Sequence, residues 1–363
     1  MLEIIGFNSS EHPLVSLLKA LSGTMPLMVR RMSVAVVLFQ LGGPDSLEAI
    51  EPFLYNLFSD PDIIDFPLAK LARSPLARLM AANRARRVRG HYDQIGGKSP
   101  IFENTMAQAH ALEKCLTDRM NAKVFIAMRY WHPLTESVVH ALEKESFETV
   151  VLLPLYPQYS KTTTGSSLNE WTRRTSSSSV RELTVKLVEH FYTNALYLDA
   201  MVEKVEEGMR ACGGSPMGTH LVFSAHSLPM SVVQAGDPYP HQVNATMEAI
   251  MRRGGWPLPC TLCYQSKVGS ARWLGPSLHS TIKELASKGV EQVCVVPISF
   301  VSDHVETLNE INIETRRQAL CLGIRKFTMS AGLNDSPKFV AALADLVVSA
   351  IGAETSEVVG TTV

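Results

Sequence analysis

The segment SDHVETLNE, which begins at Ser302, places acidic side chains directly after an apolar run. If a helix starts here, Asp303, Glu306 and Glu310 lie on one face of it, with His304 adjoining them. Stacked carboxylates attract a cation or have raised pKa values, so this column could bind a divalent metal or conduct protons. The same spacing also fits a helix N-terminus capped by Ser302 or Asp303, with Glu306 completing a capping box. The spacing alone leaves both interpretations open.

A histidine ends a second apolar run, in VFSAHSLPM, where His226 follows a predicted strand. Ligand sites in open α/β sheets form at the carboxyl ends of strands. A neutral imidazole can bind a metal such as iron, and it can accept a proton near neutral pH. His226 is therefore a candidate catalytic or metal-binding residue, and a hydrogen-bonded structural histidine is the alternative.

Other side chains could recognise an acidic or planar ligand. Arg129 emerges at a strand end in IAMRYWHPLTE, where a guanidinium could pair with a ligand carboxylate. Trp273, in a glycine-containing segment, is either a core residue or a platform for a flat ligand. A basic run is either a solvated helix face or a site for an acidic small molecule; it comprises Arg84, Arg86, Arg87 and Arg89.

The six cysteines show no disulfide framework and indicate a reducing compartment. Cys260 and Cys263 form a lone C-x-x-C in a segment that resembles a strand, so structural cysteines are favoured over a metal or redox site. The sequence lacks G-x-G-x-x-G after a strand, a P-loop lysine motif and G-x-S-x-G. These absences disfavour a dinucleotide enzyme, an NTPase and an α/β hydrolase.

The elements that must position these residues alternate between strand and helix. Apolar runs with little polar alternation are typical of strands covered on both faces of a parallel sheet. Such runs occupy 34–39, 124–128, 150–155, 183–188, 220–224 and 293–298, and amphipathic helical segments occupy 102–119, 134–145, 194–211, 277–288 and 337–351. This alternation predicts an α/β, doubly wound architecture.

An internal echo suggests that the chain has two similar halves. Val150, Pro154, Thr164 and Asn169 recur 143 residues later as Val293, Pro297, Thr307 and Asn312. We expect a first half at 33–178 and a second at 179–350, with the last helix packing back on the first half and a ligand cleft between them. Residues 1–32 are interpreted as a leader and residues 351–363 as a tail.

Composition excludes several classes of protein. The 363 residues are 46% hydrophobic and 19% charged, with a formal net charge of -1. A nucleic-acid partner is not expected, because no excess of Lys and Arg exists to release counterions. No apolar run approaches the length of a transmembrane helix. Residues 53–80 mix apolar and basic side chains and form either core packing or a lip that rests on a membrane surface.

At these residues the chain resembles the ferrochelatase family from about residue 34 to residue 350. The matching segments are LGGPDS at 41–46, YDQIGGKSPI at 92–101, RYWHPLTE at 129–136, YPQYSKTTTGSS at 156–167, SAHSLP at 224–229, QSKVGSARWLGP at 265–276 and SDHVETLNEI at 302–311. Seven segments in the same order make the resemblance specific. It implies two Rossmann-like domains that enclose a porphyrin cleft.

The resemblance assigns His226 and Glu306 as catalytic and metal-binding residues that face each other across that cleft. It places Asp303, His304 and Glu310 on a neighbouring path for metal or protons. The porphyrin-binding positions that it implies are Arg129, Tyr130, Trp273, Arg84, Lys98, Ser99 and Leu41.

The implied activity is insertion of Fe²⁺ into protoporphyrin IX to form protohaem, the last step of haem biosynthesis. A coproporphyrin ferrochelatase, another tetrapyrrole chelatase and a non-catalytic haem or iron carrier are the alternatives. No [2Fe–2S] cluster is expected, because the segment after residue 350 has no cysteine and Lys161 stands where some cluster-bearing relatives have one. The expected location is the cytoplasm, with peripheral contact at the inner face of a membrane.

Overall fold

The computed structural model describes residues 32–63, 69–213, 216–267 and 271–352. Four parallel strands form a first sheet in the order β2-β1-β3-β4. They are β1 (Ser33–Gln40), β2 (Asn121–Met128), β3 (Thr149–Pro154) and β4 (Thr184–Leu187). The two central strands, β1 and β3, are almost wholly buried, which explains their continuous apolar sequences.

A second parallel sheet repeats this order as β6-β5-β7-β8. Its strands are β5 (His220–His226), β6 (Cys260–Gln265), β7 (Gln292–Pro297) and β8 (Lys326–Met329). The registers also correspond, because Phe39 pairs with Pro154 in the first sheet and Ser224 pairs with Pro297 in the second. The predicted α/β class with two similar parallel-sheet halves is thus confirmed.

Helices flank both sheets. They are α1 (Ile50–Phe58), α2 (Ala69–Gln94), α3 (Ile101–Thr117), α4 (Thr135–Leu142), α5 (Ser166–Thr175), α6 (Ala195–Ala211), α7 (Met230–Gln234), α8 (Tyr239–Gly254), α9 (Leu278–Ser287), α10 (Arg316–Cys321) and α11 (Pro337–Gly352). Five of them, α3, α4, α6, α9 and α11, occupy the segments that the hydrophobic pattern indicated. Short 3₁₀ turns occupy Ser179–Glu182 and Pro216–Gly218. No helix within the described ranges is long and apolar enough to cross a bilayer.

Each half also contains a π-helix after its second central strand. The first π-helix is Lys161–Gly165, after β3, and the second is Glu306–Thr315, after β7. The sequence predicted an α-helix beginning near Ser302 or Asp303, but the second π-helix begins at Glu306. π-Helices are rare and often occur at functional sites.

A hydrophobic core connects the two sheets. It joins Leu38 and Leu153 of the first sheet to Phe223 and Val296 of the second. The last helix, α11, contributes Phe339, Leu343 and Val347 to this core and packs against α3, β3 and β4 of the first half. The chain therefore returns to its first lobe after the second sheet is complete.

The first sheet extends beyond the division expected at residues 178 and 179. β4 pairs with β3 through Leu187, and the serine-rich stretch before it forms a 3₁₀ turn, Ser179–Glu182. The first lobe therefore includes β4 as an edge strand, although β4 follows the serine-rich stretch at which we expected the first half to end. The leader assigned to residues 1–32 lies outside the described residues apart from Met32, and so does the tail from residue 353 onward.

Candidate active site

The candidate site lies where β5 and β7 end side by side. His226 is the last residue of β5, and its backbone N–H donates to Ser299 Oγ, just beyond β7 (3.0 Å). The Tyr239 hydroxyl, at the start of α8, donates to the carbonyl of His226 (3.0 Å). Hydrogen bonds to both the N–H and the carbonyl of His226 thus fix the backbone that carries the imidazole.

His226 and Glu306 are in direct contact. His226 Nδ1 lies 2.9 Å from Glu306 Oε2, and His304 Nε2 lies 3.9 Å from the same oxygen. The expectation that His226 and Glu306 face each other across a cleft is wrong, because both belong to the second lobe. Adjacent parallel strands end at the same edge, so β5 and the helix that follows β7 deliver the two side chains to one wall.

Burial and charge act in opposite directions on this pair. Burial on its own lowers the pKa of His226, but the charge and hydrogen bond of Glu306 outweigh it, and the pKa lies above its ordinary value. Burial on its own raises the pKa of Glu306, but His226 and then His304 hold it well below its usual range. Each member of the pair therefore favours the charged form of the other.

The second π-helix carries a row of three carboxylates. Glu310 accepts two hydrogen bonds from Ser266, one from its N–H (2.9 Å) and one from its hydroxyl (2.5 Å). Burial and the charge of Glu306 raise the pKa of Glu310. One turn further, Glu314 lies 3.3 Å from Nε2 of half-exposed His91. Neighbouring carboxylates whose pKa values are pushed apart can exchange a proton along such a row.

Asp303 precedes the helix rather than lying in it. Its carboxylate accepts hydrogen bonds from Thr307 Oγ1 (2.9 Å), Asn334 Nδ2 (2.9 Å) and the Gly332 N–H (3.1 Å). The predicted column of Asp303, Glu306 and Glu310 is therefore not one helix face. The row consists instead of Glu306, Glu310 and Glu314.

A cavity that opens to solvent lies against His226 and Glu306. Leu41, His226, His304 and Glu306 are the predicted site residues that line it, together with Gln40, Ile101, Leu155, Tyr156, Gln158, Ser160, Thr163, Leu228, Tyr239, Ser299, Phe300, Val301 and Ser302. In the part of the chain that the structure describes, no lysine or arginine lines it.

Gln40 is a lining residue that the sequence analysis missed. Its Oε1 accepts the backbone N–H of Leu41 (3.0 Å), which leaves the amide nitrogen as the group available to the cavity. The polar end of β1 was the available signal, because Gln40 interrupts an otherwise apolar strand at its carboxyl end.

Arg129 and Tyr130 are engaged by the protein itself. Arg129 donates through Nε to Ser166 Oγ (2.8 Å) and pairs with Asp60 Oδ2 (2.9 Å), and the Tyr130 hydroxyl donates to the same oxygen (2.5 Å). The Asp60 side chain is fully buried, and that of Arg129 is 12% exposed. These residues form a buried cluster in which protein partners occupy Nε and Nη2 of Arg129.

The other predicted porphyrin contacts lie around the cavity rather than in its wall. Lys98 is exposed and paired with Glu103. Ser99 is buried against Gly43, where an added Cβ would lie 2.6 Å from the Ser99 Cβ. Trp273 forms a short antiparallel bridge with Pro229, beyond His226.

Arg84 lies near a second residue that sequence reasoning missed, Tyr92. Both are on α2, and the charges of Arg84 and Glu306 both act on the buried Tyr92 hydroxyl, whose pKa burial raises. The pair between His91 of α2 and Glu314 also shows that α2 lies beside the carboxylate row. Tyr92 begins the segment YDQIGGKSPI, but no sequence pattern distinguished it from a core tyrosine.

Cys260 and Cys263 do not share a site. Both lie in β6, three residues apart, so their side chains point to opposite faces; Cys260 is exposed and Cys263 is buried. Within the described ranges, no group of three or more His, Cys, Asp or Glu side chains is arranged to hold a metal ion.

The two-lobed fold is shared with a solved structure of SirB from Bacillus subtilis with Fe³⁺, at a TM-score of 0.54 and 13% identity. That likeness covers 90% of this chain and 98% of SirB. This likeness defines the fold as a two-domain, Rossmann-like α/β architecture.

Sequence comparison identifies the family. The ferrochelatase family model matches residues 33–351. The ferrochelatase of Aquifex aeolicus is 45% identical over 317 residues, covering 87% of this chain and 99% of that protein. The ferrochelatase of Geotalea daltonii is 47% identical over 318 residues, covering 88% and 98%. The chain belongs to the ferrochelatase family, whose members are enzymes of haem biosynthesis that insert a metal ion into a porphyrin.

Proposed function

We propose that the protein inserts Fe²⁺ into protoporphyrin IX to form protohaem, the last step of haem biosynthesis. The contact of 2.9 Å between His226 Nδ1 and Glu306 Oε2, in the wall of a cavity that opens to solvent, carries this proposal. Metalation must remove two pyrrole protons and replace them with the metal ion. A base at the cavity wall and a carboxylate behind it supply the groups that this exchange needs.

His226 accepts a pyrrole proton, and Glu306 stabilises the imidazolium that results. Protons then leave, or metal arrives, along the row from Glu306 through Glu310 to Glu314, which runs from the cavity towards exposed His91. Because His226 and Glu306 share one wall, deprotonation and this row serve the same face of the porphyrin.

The character of the cavity favours a porphyrin with fewer carboxylates. A buried carboxylate requires a charged or hydrogen-bonding partner. Leu41, Leu155 and Phe300 line the cavity, and within the described residues its wall contains neither lysine nor arginine. We therefore favour protoporphyrin over coproporphyrin, with Arg84 of α2 as the candidate partner for its propionates.

A lip on α2 supports contact with a membrane surface at the inner face of the cytoplasmic membrane. Leu76 is 39% exposed and Leu79 is 61% exposed, and exposed Arg86 and Arg87 follow on the same helix. Apolar and basic side chains on one helix suit an anionic bilayer, which is also the natural source of a hydrophobic porphyrin. The enzyme is then cytoplasmic, requires no resident cofactor and takes Fe²⁺ as a substrate.

Anaerobic metal insertion by purified protein tests the proposal, with Fe²⁺ and Zn²⁺ as metals and protoporphyrin IX and coproporphyrin III as acceptors. We expect multiple turnovers and a higher kcat/KM for protoporphyrin. A preference for coproporphyrin would refute the proposed substrate but would still support metal insertion as the reaction. Tight binding that stops at one equivalent would identify a carrier and refute the enzymatic proposal.

A further inference from the structure

Asn334 lies in the loop between β8 and α11 and reaches back to the loop that follows β7. Its φ of 43° is a left-handed conformation that asparagine tolerates better than most residues. Asn334 Nδ2 donates to Asp303 Oδ2 and the Asp303 N–H donates to Asn334 Oδ1, both at 2.9 Å. The Asn334 N–H also donates to the Val301 carbonyl (2.8 Å). A reciprocal pair thus ties the two loops together.

Asp303 passes this constraint to the start of the second π-helix. Thr307 Oγ1 donates to Asp303 Oδ1 (2.9 Å) and lies 3.1 Å from the His304 N–H, which donates to it. Thr307 directly follows Glu306. The position of the Glu306 carboxylate therefore depends on the side chain of Asp303.

The same loop orients the ring of His304. His304 Nδ1 lies 3.0 Å from the Ser302 carbonyl, which can only accept a hydrogen bond. Nδ1 therefore carries a hydrogen, and Nε2 is the nitrogen turned towards Glu306, 3.9 Å away. A shift of the loop would change both contacts of the ring.

The first lobe holds this loop through α3. Fully buried Gln108 donates through Nε2 to Ser302 Oγ (3.0 Å) and to the Asn334 carbonyl (2.8 Å). Asn104 Nδ2 donates to the Asp303 carbonyl (3.1 Å). The Asp303–Asn334 pair thus lies at a junction between the lobes, where the cavity wall and the lobe interface share a loop.

Close packing at Gly332 shows how tightly Asp303 is enclosed. A Cβ added at Gly332 would lie 2.9 Å from the Asp303 nitrogen and 3.2 Å from its Cγ. The Asp303 carboxylate is occupied by Gly332, Thr307 and Asn334, so all three of its contacts belong to the protein framework.

We propose that Asn334 and Asp303 are positioning residues for metal insertion, which hold His304 and Glu306 at the cavity. Asp303 acts through the shape of its hydrogen bonds, not as a carboxylate that carries metal or protons. The inference rests on the role proposed above for Glu306, and it replaces the path assigned to Asp303 from the sequence.

Three variants test it by steady-state Zn²⁺ insertion into protoporphyrin. Asn334→Gly keeps the left-handed backbone and removes the side chain; we expect kcat to fall about tenfold to a hundredfold, with KM for porphyrin changed less than about twofold. The kcat of Asp303→Ala is expected to fall by the same factor as that of Asn334→Gly. Asp303→Asn keeps every hydrogen bond, because its amide nitrogen can donate to Thr307 Oγ1, and its kcat is expected to stay within about threefold of the parent.

Asn194→Gly is the matched control. Asn194 also binds an aspartate across the fold, accepting from the Tyr197 N–H (3.0 Å) and donating to Asp345 (3.3 Å), but it lies outside the cavity wall. For Asn194→Gly we expect a loss of thermal stability comparable to that of Asn334→Gly, with kcat retained.

Two outcomes would overturn the inference: Asp303→Asn as impaired as Asp303→Ala, or Asn334→Gly no more impaired than Asn194→Gly. Failure of the proposed function has a different signature, which is normal insertion by His226→Ala.

Discussion

Leu41 and His226 occupy equivalent positions in the two lobes. Phe39 pairs with Pro154 in the first sheet, and Ser224 pairs with Pro297 in the second. Leu41 lies two residues after Phe39, and His226 lies two residues after Ser224. Both side chains line the cavity. The first lobe thus presents an alkyl side chain where the second presents an imidazole. The two lobes share one topology, but only the second lobe has a titratable side chain, His226, at this position.

This asymmetry predicts different defects for the two positions. Leu41→Ala should weaken protoporphyrin binding by about tenfold, because apolar contact is lost, with kcat little changed. His226→Ala should lower kcat by about 10²–10⁴-fold, the usual contribution of a general base, with porphyrin affinity little changed. Fluorescence titration and single-turnover insertion measure the two quantities separately. A kcat defect in Leu41→Ala as large as that of His226→Ala would contradict this division.

The ion pair predicts a pH dependence with a definite sign. Glu306 holds the pKa of His226 above its ordinary value, so proton acceptance by His226 requires a higher pH than free histidine would. In Glu306→Gln the charge is lost, burial dominates, and the pKa of His226 should fall. NMR titration of the His226 ring measures this shift. Glu291→Gln, which removes an exposed carboxylate paired with Arg325, should leave it unchanged.

The buried cluster around Asp60 predicts a stability defect at Arg129. Arg129→Met would leave the Asp60 carboxylate buried without its cation, at a cost of about 3–5 kcal/mol in the free energy of unfolding. The ratio of KM values for coproporphyrin and protoporphyrin should stay constant, because Arg129 already has protein partners. Urea unfolding and kinetics report the two effects. In the control Arg253→Met, loss of a surface pair with Asp199 should cost less than about 1 kcal/mol.

Membrane contact through α2 predicts a position-specific effect on vesicle binding. Leu76→Gln with Leu79→Gln should reduce flotation with anionic vesicles, because these side chains are the exposed apolar part of the lip. Leu320→Gln with Leu322→Gln makes the same chemical change at residues that are 50% and 40% exposed on another surface. Equal loss in both double variants, or no binding by the parent protein, would exclude the lip.

Much of the fold follows from the hydrophobic pattern, and the exceptions have physical causes. Strands such as β1 and β3 are buried on both faces, so their sequences are almost continuously apolar. β8 was not predicted, because it has four residues and begins with exposed Lys326. β4 lies at a sheet edge with Val185 and Leu187 exposed, so its sequence gave no sign of the lobe to which it belongs.

The site was predictable in composition but not in arrangement. Strand-end position identified His226, and acidic spacing identified Glu306 and Glu310. Their contact depends on strand order, which a single sequence does not specify. The place of Asp303 depends on Asn334, a residue from a loop 31 positions later, and on a helix that starts at Glu306.

The core shared by the two sheets has a consequence for synthesis on the ribosome. Phe339, Leu343 and Val347 of α11 complete a core that also contains Leu38 and Leu153. The first sheet is translated before the whole second sheet, and α11 follows only after that, roughly ten seconds or more later at typical elongation rates. Until α11 is made, an apolar face of the nascent first lobe lacks this partner, so the demand for chaperones should last until α11 has been translated.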